Sequence, residues 1–258
     1  MFGKAGKAYE GRLCEVCVTT RQRASGVETG PVCCTIRAVI LRRLFEVFDR
    51  LLLSQWACPH GPLGWLAGRL MERGNARMNE LAIEALEVQR ADTVLEIGFG
   101  PGAALQQIAE LASEGSVTGV EPSQTMIREA ARRLKHHIAA GRVELKEGKA
   151  SELPYPDASF DRVLTVNTLY FFDDPRAAFR EIRRVTKLGG RFVVVFRAVA
   201  DEGGPLAVHG MPQPTPVSDV TDWVRGAGFS DLDERRREAP FGPLTVTAVA
   251  LAGTAAAG

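Results

Sequence analysis

The sequence predicts an α/β fold built on a parallel sheet with helices on both faces. Three observations lead there. From Thr93 onward, short apolar or β-branched runs alternate with helix-like segments, a pattern that calls for βαβ crossovers. One of those runs, "VLEIGFGPG" at 94–102, passes from apolar residues straight into alternating glycines, as a strand does where its carboxyl end opens onto a ligand crevice. The 258 residues, 45% hydrophobic and 24% charged, suffice for one sizeable core plus an accessory segment.

Residues 1–35 mix polarity without a sustained period and read as a poorly ordered leader. From Ile36 to Trp56 the apolar positions Ile40, Leu44, Val47, Phe48 and Leu51 recur at helical spacing among Arg42, Arg43, Glu46, Asp49 and Arg50. Docking on the domain's own core is the plain reading of this amphipathic helix, and peripheral contact with a membrane surface is the alternative. Two shorter helices follow, 65–72 and 76–86, the second with Asn75 as N-cap. Residues 36–90 together form an N-terminal helical cap.

The main domain covers 91–252. Strands are expected at 93–97, 116–120, 143–146, 161–166 and 191–196, with helices at 102–113, 123–138 and 175–186. After a Gly/Pro-rich connection, 203–216, come a helix at 217–227, strands at 231–236 and 244–250, and a frayed tail at 253–258.

Composition excludes several classes. A formal net charge of +1 gives no long-range field for nucleic acid. No apolar run reaches the roughly 18 residues of a membrane span, and the opening "MFGKAGKAYEGRLCEVC" lacks a secretory core, so a cytoplasmic protein is expected. The odd count of five cysteines suits a reducing compartment. Cys14-x-x-Cys17 with Cys33-Cys34 reads as free thiols and not as a metal site, because adjacent cysteines suit tetrahedral ligation poorly and no His lies nearby.

The glycines narrow the ligand. Gly98 and Gly100 allow a sharp turn with close backbone approach, and Gly102 allows tight packing where a helix begins. Gly98-x-Gly100-x-x-Ala103 also satisfies a dinucleotide fingerprint, so an NAD(P)-dependent oxidoreductase stays open on this motif. Glu121, about 20 residues further on, is placed to accept hydrogen bonds from both hydroxyls of a ribose, which either ligand contains. Glu96 discriminates, since a carboxylate beside the glycines opposes a pyrophosphate and welcomes a sulfonium and an ammonium. The charge logic favours S-adenosylmethionine.

Taken together, "VLEIGFGPG", "VEPS", "LPYPDASFDRVLTVNTLYFFDDP" and "FREIRRVTKLGGRFVVV" resemble the class I S-adenosylmethionine-dependent methyltransferases, in the small-molecule branch that includes quinone- and sterol-type enzymes. The resemblance covers roughly 63–250. It implies a Rossmann-like, seven-stranded, mostly parallel sheet with an antiparallel last strand. It further implies that Glu96 and the backbone of Gly98, Gly100 and Gly102 surround the methionine moiety, that Glu121 holds the ribose, that Pro122 contacts the adenine, and that Asn167 lines the methionine end. One position departs: where the family carries an acidic residue for the adenine amino group, this chain has Lys149, which has donors only. Ala150 still offers its backbone N–H, and Glu152 is a candidate substitute acceptor.

The expected activity is in-line methyl transfer to a small, partly apolar molecule, with a non-catalytic S-adenosylmethionine-binding protein as the alternative. No residue declares itself a general base; His60, His209 and Tyr170 are candidates by chemistry, while His136 and His137 read as solvated. The text after the fourth strand, "VNTLYFF", lacks an Asn/Asp-Pro-Pro-aromatic element, and the chain has no Pro-Cys nucleophile, so nucleic acid is not an expected substrate. The helical cap and the 203–216 connection are expected to form the acceptor site.

Overall fold

The computed structural model describes residues 61–198, 215–241 and 244–256. Its elements are α1 (Gly61–Leu86), β1 (Thr93–Ile97), α2 (Ala103–Leu111), β2 (Ser116–Glu121), α3 (Gln124–Arg133), α4 (Lys135–Ala139), β3 (Val143–Glu147), β4 (Phe160–Val166), α5 (Pro175–Val185), β5 (Thr186–Arg197), α6 (Val217–Gly226), β6 (Phe229–Phe241) and β7 (Leu244–Ala255). One seven-stranded sheet runs in the order β3-β2-β1-β4-β5-β7-β6. Neighbours from β3 to β5 pair in parallel, and β7 is antiparallel to both β5 and β6. This is the Rossmann-like architecture that the motif order implied.

Strand alternation divides the core into two layers. Val94, Val117, Leu164, Val193 and Val195 share one apolar cluster with Met78, Leu81 and Ala85 of α1, Leu105 and Ile108 of α2, and Ala130 of α3. Leu95, Ile97, Val163, Val194 and Phe196 belong to the other, with Phe179 and Ile182 of α5 and Val220 and Val224 of α6. In that second layer Phe179 meets Phe192 edge-on at 5.7 Å, and Phe192 in turn lies 5.1 Å from Phe229.

Helix ends follow local chemistry. The Ser123 hydroxyl accepts the Met126 N–H, and Asp174 Oδ1 accepts the Ala177 N–H ahead of Pro175, so both helices begin at side-chain caps. The carboxyl end of α1 is closed by arginines from the sheet: Arg191 Nε donates to the Ala85 carbonyl at 2.6 Å and Arg235 to the Glu84 carbonyl at 3.1 Å. These bonds satisfy carbonyls that have no partner within the helix.

Several expectations need correction. The predicted helices 65–72 and 76–86 are one continuous helix, and Asn75 is inside it, not capping it; its side chain is bonded across to Asn167, so tertiary contact overrides the capping preference. The predicted helix 123–138 divides at Leu134, a fully buried residue. β6 extends beyond both expected ends, and β7 runs through Ala255, into the segment read as a tail. The leader, the helix at 36–56, all five cysteines, His60, His209 and most of the 203–216 connection lie outside the described residues.

Candidate active site

The strand order reverses between β1 and β4, and at that switch point a cavity of about 300 Å³ opens at the carboxyl ends of the strands. Its floor is the glycine turn. Gly98, Gly100 and Gly102 all have positive φ. At Gly98 the constraint is also spatial, since a Cβ there would lie 2.3 Å from Thr168 Cγ2. At Gly102 a Cβ would approach Ala130 of α3 to 2.9 Å, so this glycine serves helix packing, and it is the one predicted cofactor residue that does not line the cavity.

Glu96, Gly98, Gly100, Glu121, Pro122, Lys149, Ala150 and Asn167 all line it. Glu121, at the end of β2, is 5% exposed and accepts the Gly100 N–H at 3.1 Å and the Ser123 N–H at 3.0 Å. Burial pushes its carboxyl above the usual carboxylate range against the pull of those two donors. Each carboxylate oxygen accepts more than one bond, so the group that shapes the glycine turn retains capacity for a ligand.

Glu96 is 3% exposed, and its Oε2 is a buried oxygen with no hydrogen-bond partner. Burial first, and the charge of Glu121 second, push this carboxyl up to about 8, while a hydrogen bond with the Leu105 backbone acts in the opposite direction. The group is therefore mostly protonated at neutral pH. A cationic ligand beside it would draw it back toward the ionised form.

Lys149 sits on the rim, where its Nζ lies 3.6 Å from Asp173 Oδ2, with side chains 71% and 83% exposed. Glu152, the suggested substitute acceptor, is not among the lining residues, whereas Asp173 is. Asn167, in the left-handed region at φ 56°, ties its backbone N–H to Val195 and its side chain to two partners, Arg197 and Asn75. Asparagine adopts that backbone conformation at lower cost than most residues.

Tyr170, named as a candidate base, is not among the residues that line the cavity; its hydroxyl is engaged with the Arg197 backbone while the Arg197 guanidinium lies 4.8 Å from its ring centre. Its hydroxyl is held above the usual phenol range by burial. His136 is exposed as expected, but His137 is half-buried and Nδ1 lies 2.5 Å from the Arg142 guanidinium. The helical cap was expected at the acceptor site without particular residues; the residues that sequence reasoning missed are Glu72, Asn75 and Asn79, which α1 presents to the cavity, and the aromatic wall of Phe99, Phe171 and Phe172. The Asn75-x-x-x-Asn79 spacing was the available signal: two amides one turn apart on one helix face, directly beside the buried Met78 and Ala82, where an apolar stripe would otherwise continue.

The chain is similar to several known methyltransferases. The family described as "Methyltransferase domain" matches residues 95–194. An uncharacterized methyltransferase, YdaC, of Bacillus subtilis is 29% identical over 168 residues, covering 65% of this chain and 88% of the relative. The O-methyltransferase resE of Aspergillus sclerotiorum is 32% identical over 170 residues, covering 63% of this chain and 64% of its own length. Among solved structures, a phosphoethanolamine N-methyltransferase 2 of Haemonchus contortus, in complex with phosphomonomethylethanolamine and S-adenosylhomocysteine, superposes with a TM-score of 0.62 at 16% identity, over 74% of this chain and 57% of that one.

Proposed function

We propose, for a chain that belongs to the class I S-adenosylmethionine-dependent methyltransferases, that its acceptor is a small, partly apolar molecule bound beside the cofactor in the cavity at the β1/β4 switch point. The cofactor is S-adenosylmethionine and the enzyme is a methyltransferase, which sets aside the dinucleotide reading of the glycine motif. When bound, this cofactor supplies a sulfonium methyl group that an acceptor's lone pair attacks in line, the C–S bonding electrons leaving on sulfur.

The observation that carries the reading is the unpartnered, buried Glu96 Oε2 in the same cavity as Glu121 and the glycine turn. A buried polar atom without a partner is costly, and a ligand with an ammonium group removes that cost. In this reading Glu96 and the backbone of Gly98 and Gly100 hold the methionine part, and Glu121 accepts from the ribose hydroxyls. Pro122 and Ala150 flank the adenine, Lys149 stands at its edge, and Asn167 bounds the methionine end.

Phe99, Met126, Val166, Phe171 and Phe172 supply apolar wall, which suits an acceptor with an apolar body and excludes water from the reacting groups. In this reading the walls align the two bound reactants for in-line transfer. The test is turnover. Incubating the full chain with S-adenosylmethionine and a panel of phenols, enols, carboxylic acids and amines should give S-adenosylhomocysteine with an apolar small-molecule member and none with RNA, DNA or a protein substrate. Methylation of a macromolecule alone would overturn the reading.

A further inference from the structure

Arg197, the last residue of β5, is 4% exposed, and its Nε donates to Asn167 Oδ1 at 3.2 Å. Asn167 Nδ2 then donates to Asn75 Oδ1 at 3.0 Å. The direction of this chain is dictated from its buried end. A guanidinium only donates, so the Asn167 oxygen must face it and the Asn167 NH2 must face away. The Asn75 oxygen then has to accept, which turns the Asn75 NH2 away from Asn167. Asn75 lines the cavity, as does Asn79 one turn further along α1, and the Asn79 side chain makes no hydrogen bond among the described residues.

We propose that Arg197 is a positioning residue which, through Asn167, aims the Asn75 N–H groups into the cavity, where with Asn79 they recognise the α-carboxylate of the cofactor's methionine part. The proposal rests on the cofactor placement given above. Its second support is charge. Among the described lining residues the only cation is Lys149, and it is paired with Asp173 on the rim; the other charged groups are carboxylates. The cofactor's one anion therefore has no cationic partner on these walls. A cation set directly against that carboxylate would also repel the adjacent ammonium and sulfonium, whereas amide donors oriented by a buried arginine meet the carboxylate without adding a charge in the cavity.

Calorimetry on the full-length chain with S-adenosylhomocysteine and with 5′-methylthioadenosine, which lacks both the carboxylate and the ammonium, separates the possibilities. Asn75→Asp should weaken S-adenosylhomocysteine binding by about tenfold or more while leaving methylthioadenosine within about twofold. Arg197→Met should reproduce the same selective loss, and Arg197→Lys, which keeps a donor for Asn167, should recover part of it. Methylthioadenosine binding doubles as the check that each variant is folded. Equal losses for both ligands would overturn the proposal in favour of a structural role. Unchanged S-adenosylhomocysteine affinity with lost turnover would overturn it in favour of the methyl acceptor as the amides' ligand. If the parent chain binds methylthioadenosine but not S-adenosylhomocysteine, no carboxylate is recognised here and the proposal falls alone; if it binds neither, the cofactor placement falls with it.

Discussion

Lys149 reaches across the rim of the cavity to Asp173, Nζ to Oδ2 3.6 Å, so the chain carries an ion pair where the motif pattern calls for an acceptor. Both side chains are largely exposed, and such pairs contribute about 0–1 kcal/mol. Lys149→Asp should therefore cost little stability and restore an acceptor for the adenine amino group. We expect cofactor affinity to rise by about three- to tenfold, an estimate from a single hydrogen bond. Equilibrium dialysis showing unchanged cofactor affinity together with lost turnover would assign Lys149 to the acceptor instead.

Glu96 links cofactor binding to protons. Its folded pKa of about 8 stands above the ordinary 4.5, so between those values the folded protein holds a proton that the unfolded chain gives up. The sign follows: this group's contribution to stability is greatest below about pH 4.5, declines as pH rises through the window, and is lost above about 8. Glu96→Gln should flatten that slope and, at pH 8 and above, raise stability by up to about 5 kcal/mol. Binding of the cationic cofactor near neutral pH should release protons from the parent and not from the variant. Titrations in buffers of different ionisation enthalpy read this directly, and an identical proton count in both would remove Glu96 from the linkage.

Gly98→Ala should be severe. The substitution places a side chain at φ +72° and brings its Cβ within 2.3 Å of Thr168 Cγ2. The backbone strain alone is about 1 kcal/mol, and the clash forces the turn or β4's following loop to move. Cofactor binding should fall by at least tenfold with a lowered melting temperature. Gly100→Ala, whose Cβ meets nothing within 4 Å, should lose less stability, and equal melting temperatures for the two variants would refute this account of the turn.

The parts of the fold that were legible in the sequence are those set by local pattern. β1, β2 and β4 are apolar runs ended by glycine, a Glu-Pro step and an Asn, so their ends fall within a residue of expectation. β6 was underestimated because its middle, "DERRRE", is polar at the sheet's edge, where burial leaves only a weak alternation to read. The site was legible where it hangs from strand ends, as at Glu96, Glu121 and Asn167. It was not legible on α1, because Asn75 meets Asn167 across 92 positions and nothing local to either residue reports such a contact. Glu72 is similar: its partner Arg133 lies on α3.

Glu72, Asn75 and Asn79 of α1 line the cavity, so truncation from the amino end tests what the helical region contributes to the site. Deleting residues 1–35 should leave cofactor affinity and turnover nearly unchanged. Deletion through Arg69 should spare some cofactor binding and abolish methyl transfer. Full turnover by the longer deletion would show that this segment serves a different purpose.

The central claim is that the cavity at the β1/β4 switch point holds S-adenosylmethionine with Glu121 on its ribose, and affinity measured by calorimetry for the parent and for Glu121→Ala tests it most directly. The account predicts a loss of about 1.5 to 3 kcal/mol, roughly 10- to 150-fold, in a variant that remains folded. A folded Glu121→Ala protein that binds S-adenosylmethionine as tightly as the parent would contradict it.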